Sequence, residues 1–210
     1  MKKTLLLLLC LSVPSAAAAQ AGCHLGGAAA IYIPLPDDFS SRAEPGGGFV
    51  ASSELSFKGS FLSLVATVGY TSWGAKKQKE YFYIPGSDPP YFEEYFVSYS
   101  YSALNVKLGC KLHLSQGEVR PYAQVEGGVV IFVGDTKTSP REPYTHTDAP
   151  EFIFTSAVGT AITIFEDQSF VYSLDLAPSL DLFRFGRTTL SAGVYFSLGF
   201  RAGIILSFRQ

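Results

Sequence analysis

The sequence predicts an all-β fold, an eight-stranded antiparallel up-and-down transmembrane β-barrel. Three observations predict it. The first is the C-terminal run, where every second residue from Leu190 through Val194, Phe200 and Ile204 to Phe208 is apolar. The residues between, such as Ser191, Gly193, Ser197, Arg201 and Ser207, are mostly small or polar. Period-two alternation places the two sets on opposite faces of one strand. The phase never flips, so no two-residue hairpin interrupts the run. At ~3.3 Å per residue it reaches roughly 60 Å, far beyond the usual soluble strand.

The second observation is composition. Charged residues make up 16% of the chain and aromatic residues 14%, where a soluble domain carries about 25% charged. A water-soluble barrel must solvate its exterior, and so few charges suit an exterior that meets lipid. The third observation is the rhythm of the connections, short after even-numbered strands and mostly long after odd-numbered ones. That alternation, with an even strand count, is the pattern of barrels in an outer membrane.

The elements follow in order. The first strand is expected at about 25–35, with Leu25, Ala29, Ile31 and Ile33 outward, and a Pro/Asp/Ser-rich loop follows over 36–45. The second covers about 48–58, with Phe49, Leu55 and Phe57 outward and Glu54 inward. Gly59-Ser60 reads as a two-residue turn, and the outward parity changes across it, as such a hairpin requires. The third strand covers about 61–73, with Leu62, Leu64, Val68 and Tyr70 outward. Residues 74–94 read as a long loop. The fourth strand covers about 95–114, with Leu104, Val106, Leu108, Cys110 and Leu112 out and Asn105, Lys107, Gly109 and Lys111 in. Its upper part, with Tyr95, Tyr99 and Tyr101, shows the opposite phase. That predicts a bulge near Ser102 and Ala103, or a portion standing above the membrane.

After the turn 115–118, the fifth strand covers about 119–134, with Val125, Val129 and Ile131 out and Tyr122, Gln124 and Glu126 in. A polar loop is expected over 135–150. The sixth strand covers about 151–165, with Phe152, Phe154 and Val158 out. The seventh covers about 169–182, with Tyr172, Leu176 and Leu180 out and Asp175 and Asp181 in. A basic loop over 184–187 leads to the last strand.

The N-terminus reads as an export signal, residues 1–19. Lys2 and Lys3 precede the apolar run 5–13, and Ala17-Ala18-Ala19 supplies a cleavage site, so the mature domain is 20–210. No later stretch is long enough for a membrane helix. Cys10 leaves with the signal. Cys23 follows Gln20-Ala21-Gly22, a loose counterpart of a lipoprotein cleavage box with Gln where Leu is usual; the alternative is a free thiol. Cys110 lies on an apolar face, and no disulfide with Cys23 is expected because their strands are not adjacent. A net charge of −2 offers no electrostatic case for nucleic acid.

Val68-Gly69-Tyr70-Thr71-Ser72-Trp73-Gly74-Ala75-Lys76 and Val119-Arg120-Pro121-Tyr122 resemble the end of the third strand and the start of the fifth in the small outer-membrane barrels of the OmpA/OmpX type, the "porin family" barrel domain. Over 201–208, Arg201, Gly203, Leu206 and Phe208 fit the signal that the barrel assembly machinery reads in that family, although Arg209 and Gln210 follow where many members end. The resemblance covers the mature chain. It implies an outer-membrane location with periplasmic termini, with lipid and the assembly machinery as partners. It implies no single activity.

The informative polar residues point inward. Centring the 115–118 hairpin between Gln116 and Gly117 sets Lys107 opposite Glu126, and the two are expected to pair. Glu54, Asp175 and Arg201 complete an expected lumen charge network, since unpaired buried charge is costly. The network reads as a structural plug, because eight strands leave little room for water; the rival reading is an ion gate or narrow passive channel.

His24, His113 and His146 share no metal-ligand spacing, so no metal, cofactor or catalytic residue is expected. Some barrels of this type modify lipid A with a His–Ser pair, for which His146 beside Thr145 and Thr147 is the only counterpart. Lys76, Lys77 and Lys79, with Tyr81, Tyr83, Tyr91, Tyr95, Tyr99 and Tyr101, are expected on an outer face. They would form an aromatic girdle with solvated loops, or a docking surface for an extracellular ligand. The function expected is therefore a non-enzymatic barrel with an occluded lumen and a structural or surface-interacting role.

Overall fold

The computed structural model describes residues 21–35, 43–57, 59–84, 91–139, 144–147, 150–185 and 193–208. The expected export segment, Gln20, most of the first loop, residues 186–192 with the expected strand start at Leu190, and Arg209 and Gln210 lie outside them. Among the described residues ten strands form: β1 (Ala21–Pro34), β2 (Ala43–Phe57), β3 (Leu62–Ala75), β4 (Lys77–Ile84), β5 (Tyr91–His113), β6 (Val119–Ser139), β7 (Tyr144–Thr147), β8 (Glu151–Glu166), β9 (Phe170–Phe185) and β10 (Gly193–Phe208). Eight of them make the barrel wall. β1, β2, β3, β5, β6, β8, β9 and β10 pair antiparallel in chain order, and β10 returns to β1 along the ladder from His24/Ser207 to Pro34/Ser197. The sheet is therefore closed. β4 and β7 are short additions at the loop end, beyond the wall.

The stagger of the wall can be walked. From Gly22 the cross-strand partners are Ser56, Ser63, Lys111, Gln124, Ala157, Ser179 and Gly199, and the path re-enters β1 at Tyr32, ten residues from its start. Such a stagger in eight strands tilts each by about 40° and leaves an interior that side chains fill. The exterior is apolar. Leu104, Val106, Leu108 and Leu112 point out of β5, and Leu108 is 68% exposed, while Lys107 and Lys111 between them are buried. From Phe49 to Phe57 the outward residues of β2 cover about 20 Å of height at that rise and tilt, close to the apolar band of a membrane barrel. Aromatic rings edge the band: Phe165 against Tyr172 and Phe170 against Phe208 at the turn end, Phe49 stacked on Tyr70 higher up.

The β2–β3 turn falls at the expected Gly59-Ser60 and is closed by the Ser60 amide donating to the Phe57 carbonyl at 2.9 Å, with Gly59 at φ +75°, a conformation glycine adopts without strain. Elsewhere the chain departs from the sequence expectations at several points. Residues 74–94 are not simply a loop, since β4 pairs with Tyr91–Ser98 and continues the β3 arm. Likewise β6 runs on to Ser139, and β7 pairs with its upper part. No bulge occurs at Ser102 and Ala103: the β5–β6 ladder is unbroken from Phe96/Ser139 to His113/Tyr122. The register slips instead on the opposite arm, between β3 and β4, where Trp73 faces Tyr101 but Lys77 faces Ser98. Tyr101 is 1% exposed and inside the barrel, not on an outer face. The hydrophobic phase of β5 inverts because the lumen itself becomes apolar at that height, while the strand keeps its geometry.

The β5–β6 hairpin centres between Gly117 and Glu118, not between Gln116 and Gly117. Lys107 therefore faces Gly128, and Glu126 faces Gly109. Each long charged side chain crosses an empty glycine position, which lets the two lean toward each other diagonally. A Cβ at either glycine would collide with backbone of the neighbouring strand: Val106 for Gly128, Val125 for Gly109. Gly128→Val is accordingly expected to lower the temperature at which the folded barrel opens in SDS, read as the loss of its faster-migrating gel band. Val129→Ala, on the exposed outer face beside it, is expected to move that temperature much less.

Candidate functional site

Among the described residues, the lumen is where the fold gathers its buried charges. Inward parity delivers one charged residue from each of several strands to nearly the same height, and the wall excludes water, so each charge needs a partner. In the middle layer, Lys107 Nζ lies 3.7 Å from Glu126 Oε2 and 4.0 Å from Asp181 Oδ1. It donates to Thr155 Oγ1 at 2.9 Å, and the Thr155 hydroxyl donates to Asp181 Oδ1 at 2.6 Å. Two carboxylates thus share one ammonium. Beside them Arg201 Nε lies 3.4 Å from Asp175 Oδ2, while its Nη2 donates to Tyr122 Oη at 3.0 Å and Gln124 Oε1 at 2.9 Å. The Tyr122 hydroxyl donates to Asp175 Oδ1 at 2.6 Å. Gly159 leaves the space that the Tyr122 ring occupies.

A second polar layer lies at the turn end. Lys111 Nζ donates to Glu54 Oε2 at 2.9 Å, and His113 Nε2 donates to Glu54 Oε1 at 2.6 Å. The Lys111 ammonium sits 4.0 Å from the centre of the Tyr122 ring, tying this layer to the middle one. His24, directly across from Glu54 on β1, donates through Nε2 to Ser56 Oγ at 2.8 Å. Arg120 Nη2 donates to Ser173 Oγ at 2.9 Å.

Above both layers a cluster of buried aromatic rings occupies the lumen. Trp73 sits among Tyr32, Phe132 and Phe183, at centroid distances of 6.4, 6.3 and 6.2 Å. Phe183 packs on Phe132 at 5.3 Å and on Tyr195 at 6.4 Å. Tyr101, Val130 and Ile153 complete the cluster, all buried. One inward aromatic near the loop end of each of β1, β3, β5, β6, β9 and β10 builds this plug, with Val130 of β6 and Ile153 of β8 packed among the rings.

Of the five residues expected in a lumen network, all lie inside the wall, but in three groups: Glu54 with Lys111 and His113, Lys107 with Glu126, Asp175 with Arg201. Asp181, Lys111, His113, Tyr122, Gln124 and Thr155 belong with them. The plug is the part sequence reading missed. Its signal was present as inward-phase aromatics at the tops of six strands, and the inverted phase of β5 was one visible piece of it. Of the C-terminal residues, Arg201 points into the lumen, Gly203 lies against the backbone of Gly27 and Ala28, and Leu206 and Phe208 point outward. Cys23 and Cys110 are both free, on non-adjacent strands of the wall. His146 falls in β7, paired with Gly134. Among the described residues no group of three His, Cys, Asp or Glu is placed to hold a metal ion.

No protein-family model and no curated protein sequence matches the chain. Among solved structures it is similar to a major outer membrane protein from Thermus thermophilus, at 12% identity over 90% of this chain and 99% of that one, with a TM-score of 0.50. It also resembles Ail, the attachment invasion locus protein of Yersinia pestis, at 9% identity over 90% and 98% of the two chains and a TM-score of 0.49. Neisserial surface protein A follows at 11% identity over 89% and 96%, with a TM-score of 0.43. The likeness is one of fold, and the Thermus protein carries it.

Lys107 serves two carboxylates, so removing it should cost more than removing one of them with it. Lys107→Met alone is expected to destabilise the barrel by about 3–5 kcal/mol, the range for breaking a buried ion pair from one side. Lys107→Met with Glu126→Leu is expected to be less destabilised than Lys107→Met alone. Urea unfolding in lipid vesicles, followed by tryptophan fluorescence, measures both; strictly additive effects would show that the two side chains do not interact.

Proposed function

We propose that the chain is an integral outer-membrane protein with a sealed lumen, which acts through its lipid-embedded wall and its loop-end surface and carries no solute. The observation that carries this reading is the stack inside the barrel: an aromatic plug over two layers of ion-paired and hydrogen-bonded side chains. A pore needs a polar path from end to end, and the rings around Trp73 interrupt it. The apolar exterior supports membrane insertion, because a belt of exposed Leu, Val, Ile and Phe side chains of this extent is unstable in water. Strands rather than helices span the membrane, since a closed barrel leaves no backbone group unpaired toward hydrocarbon.

Within this reading residues 1–19 are the export signal, removed after Ala19. The turn end with both termini faces the periplasm, and the longer connections with β4 and β7 face outward. Arg201, Gly203, Leu206 and Phe208 form the signal for the barrel assembly machinery. No enzyme chemistry is assigned. The lumen carboxylates are committed to cations and hydroxyls, and a general acid or base needs a substrate within reach.

Two measurements test the proposal. The purified protein is expected to give no sustained openings in a planar bilayer; stable single-channel steps would overturn the sealed lumen. Expressed from its full gene, it is expected in the outer-membrane fraction, with a mature N-terminus at Gln20 and faster gel migration before boiling than after. Recovery from the periplasm without detergent would overturn the location.

A further inference from the structure

We infer that the turn-end mouth of the lumen binds one small monovalent anion of chloride size, an inference that goes beyond the sealed-barrel role and does not depend on it. The site is a cavity of about 10 Å³ lined by His24, Glu54, Lys111, His113, Arg120 and Ser207. That volume holds one water molecule or an ion of similar radius. It excludes phosphate, sulfate and any lipid headgroup.

The charges around the cavity do not cancel. Glu54 is the one carboxylate lining it, and both its oxygens are engaged by Lys111 and His113. Arg120 forms no ion pair with any carboxylate among the described residues. Its Nη2 is spent on the neutral Ser173 hydroxyl, and its Nε has no partner. A guanidinium stays charged at every relevant pH, so with Lys111 the mouth holds two fixed cations against one anion. The Ser207 hydroxyl, buried in the same lining, also has no partner. The unpartnered Arg120 Nε–H and Ser207 hydroxyl, with the unpartnered His113 Nδ1, thus belong to the lining of a space with an uncompensated positive charge. A water molecule would satisfy the hydrogen bonds but not the charge. An anion satisfies both, and burial makes that neutralisation worth more than at a surface.

The middle layer fixes where such an anion stops. Glu126 and Asp181 share the single ammonium of Lys107, so the next step inward carries excess negative charge and repels an anion. The aromatic plug lies beyond it. The ion therefore binds at the mouth without passage.

The test uses the refolded full-length mature barrel in detergent. Sodium chloride is replaced stepwise by sodium gluconate, too large to enter, at constant ionic strength and pH, and thermal unfolding is followed by circular dichroism. A saturable rise in unfolding temperature with chloride is expected. Arg120→Gln is expected to weaken the chloride dependence by about tenfold or more, the loss for truncating one partner of a buried charge pair. Crystals of the unaltered protein grown in bromide are expected to show one anomalous peak in contact with Arg120 and Ser207, which decides the matter even if Arg120→Gln fails to fold. Equal stability in chloride and gluconate, or an ordered water with no bromide signal in the cavity, would overturn the site.

Discussion

The pairing of β10 with β1 is the contact on which the rest depends. In hydrocarbon an open sheet edge would leave a row of amides and carbonyls without partners, at several kcal/mol each. The ladder from His24/Ser207 to Pro34/Ser197 removes that edge. With the other seven ladders it fixes the stagger, which sets the tilt and therefore the bore. A bore this narrow cannot hold a column of water, so inward side chains must fill it and satisfy one another. The layered interior is the consequence of closure.

Closure explains why the interior divides by height. Toward the turn end and the middle, the inward residues include the buried charges and most of the buried hydroxyls, beside small or aliphatic ones such as Val65, Ala161 and Ile205, and the polar ones form short crossed networks such as Asp175–Tyr122–Arg201–Gln124. Toward the loop end the same inward positions become aromatic. The rings meet in tilted and stacked geometries, which favour the attraction between positive ring edges and negative faces. The wall does not change across this boundary. Only the chemistry of its inner face does, so the apolar band outside and the plug inside overlap on the same strands.

This architecture separates what the barrel can do at its two ends. The loop end carries the strand extensions β4 and β7 beyond the aromatic cluster. The turn end keeps a shallow polar mouth with an unbalanced guanidinium.

Much of this was legible from the chain alone. Period-two alternation is set by the backbone pleat, so Leu104, Val106 and Leu108 against Lys107 and Lys111 declare their faces before any partner strand is known. The low charge count then decides that the apolar face looks out. The eight-strand count, the turn positions and the inward placement of Glu54, Lys107, Glu126, Asp175 and Arg201 follow from the same alternation. Register does not. Whether Lys107 faces Glu126 or Gly128 turns on a single residue in a turn of low sequence specificity, and two glycine gaps let the pair meet diagonally all the same. The plug was hidden for a related reason. An inward aromatic and an outward aromatic look alike in a sequence, and only the closed barrel brings Tyr32, Trp73, Phe132 and Phe183 from distant strands to one height. Local pattern determined the faces; the global stagger decided which side chains share a layer, because that depends on every ladder around the ring.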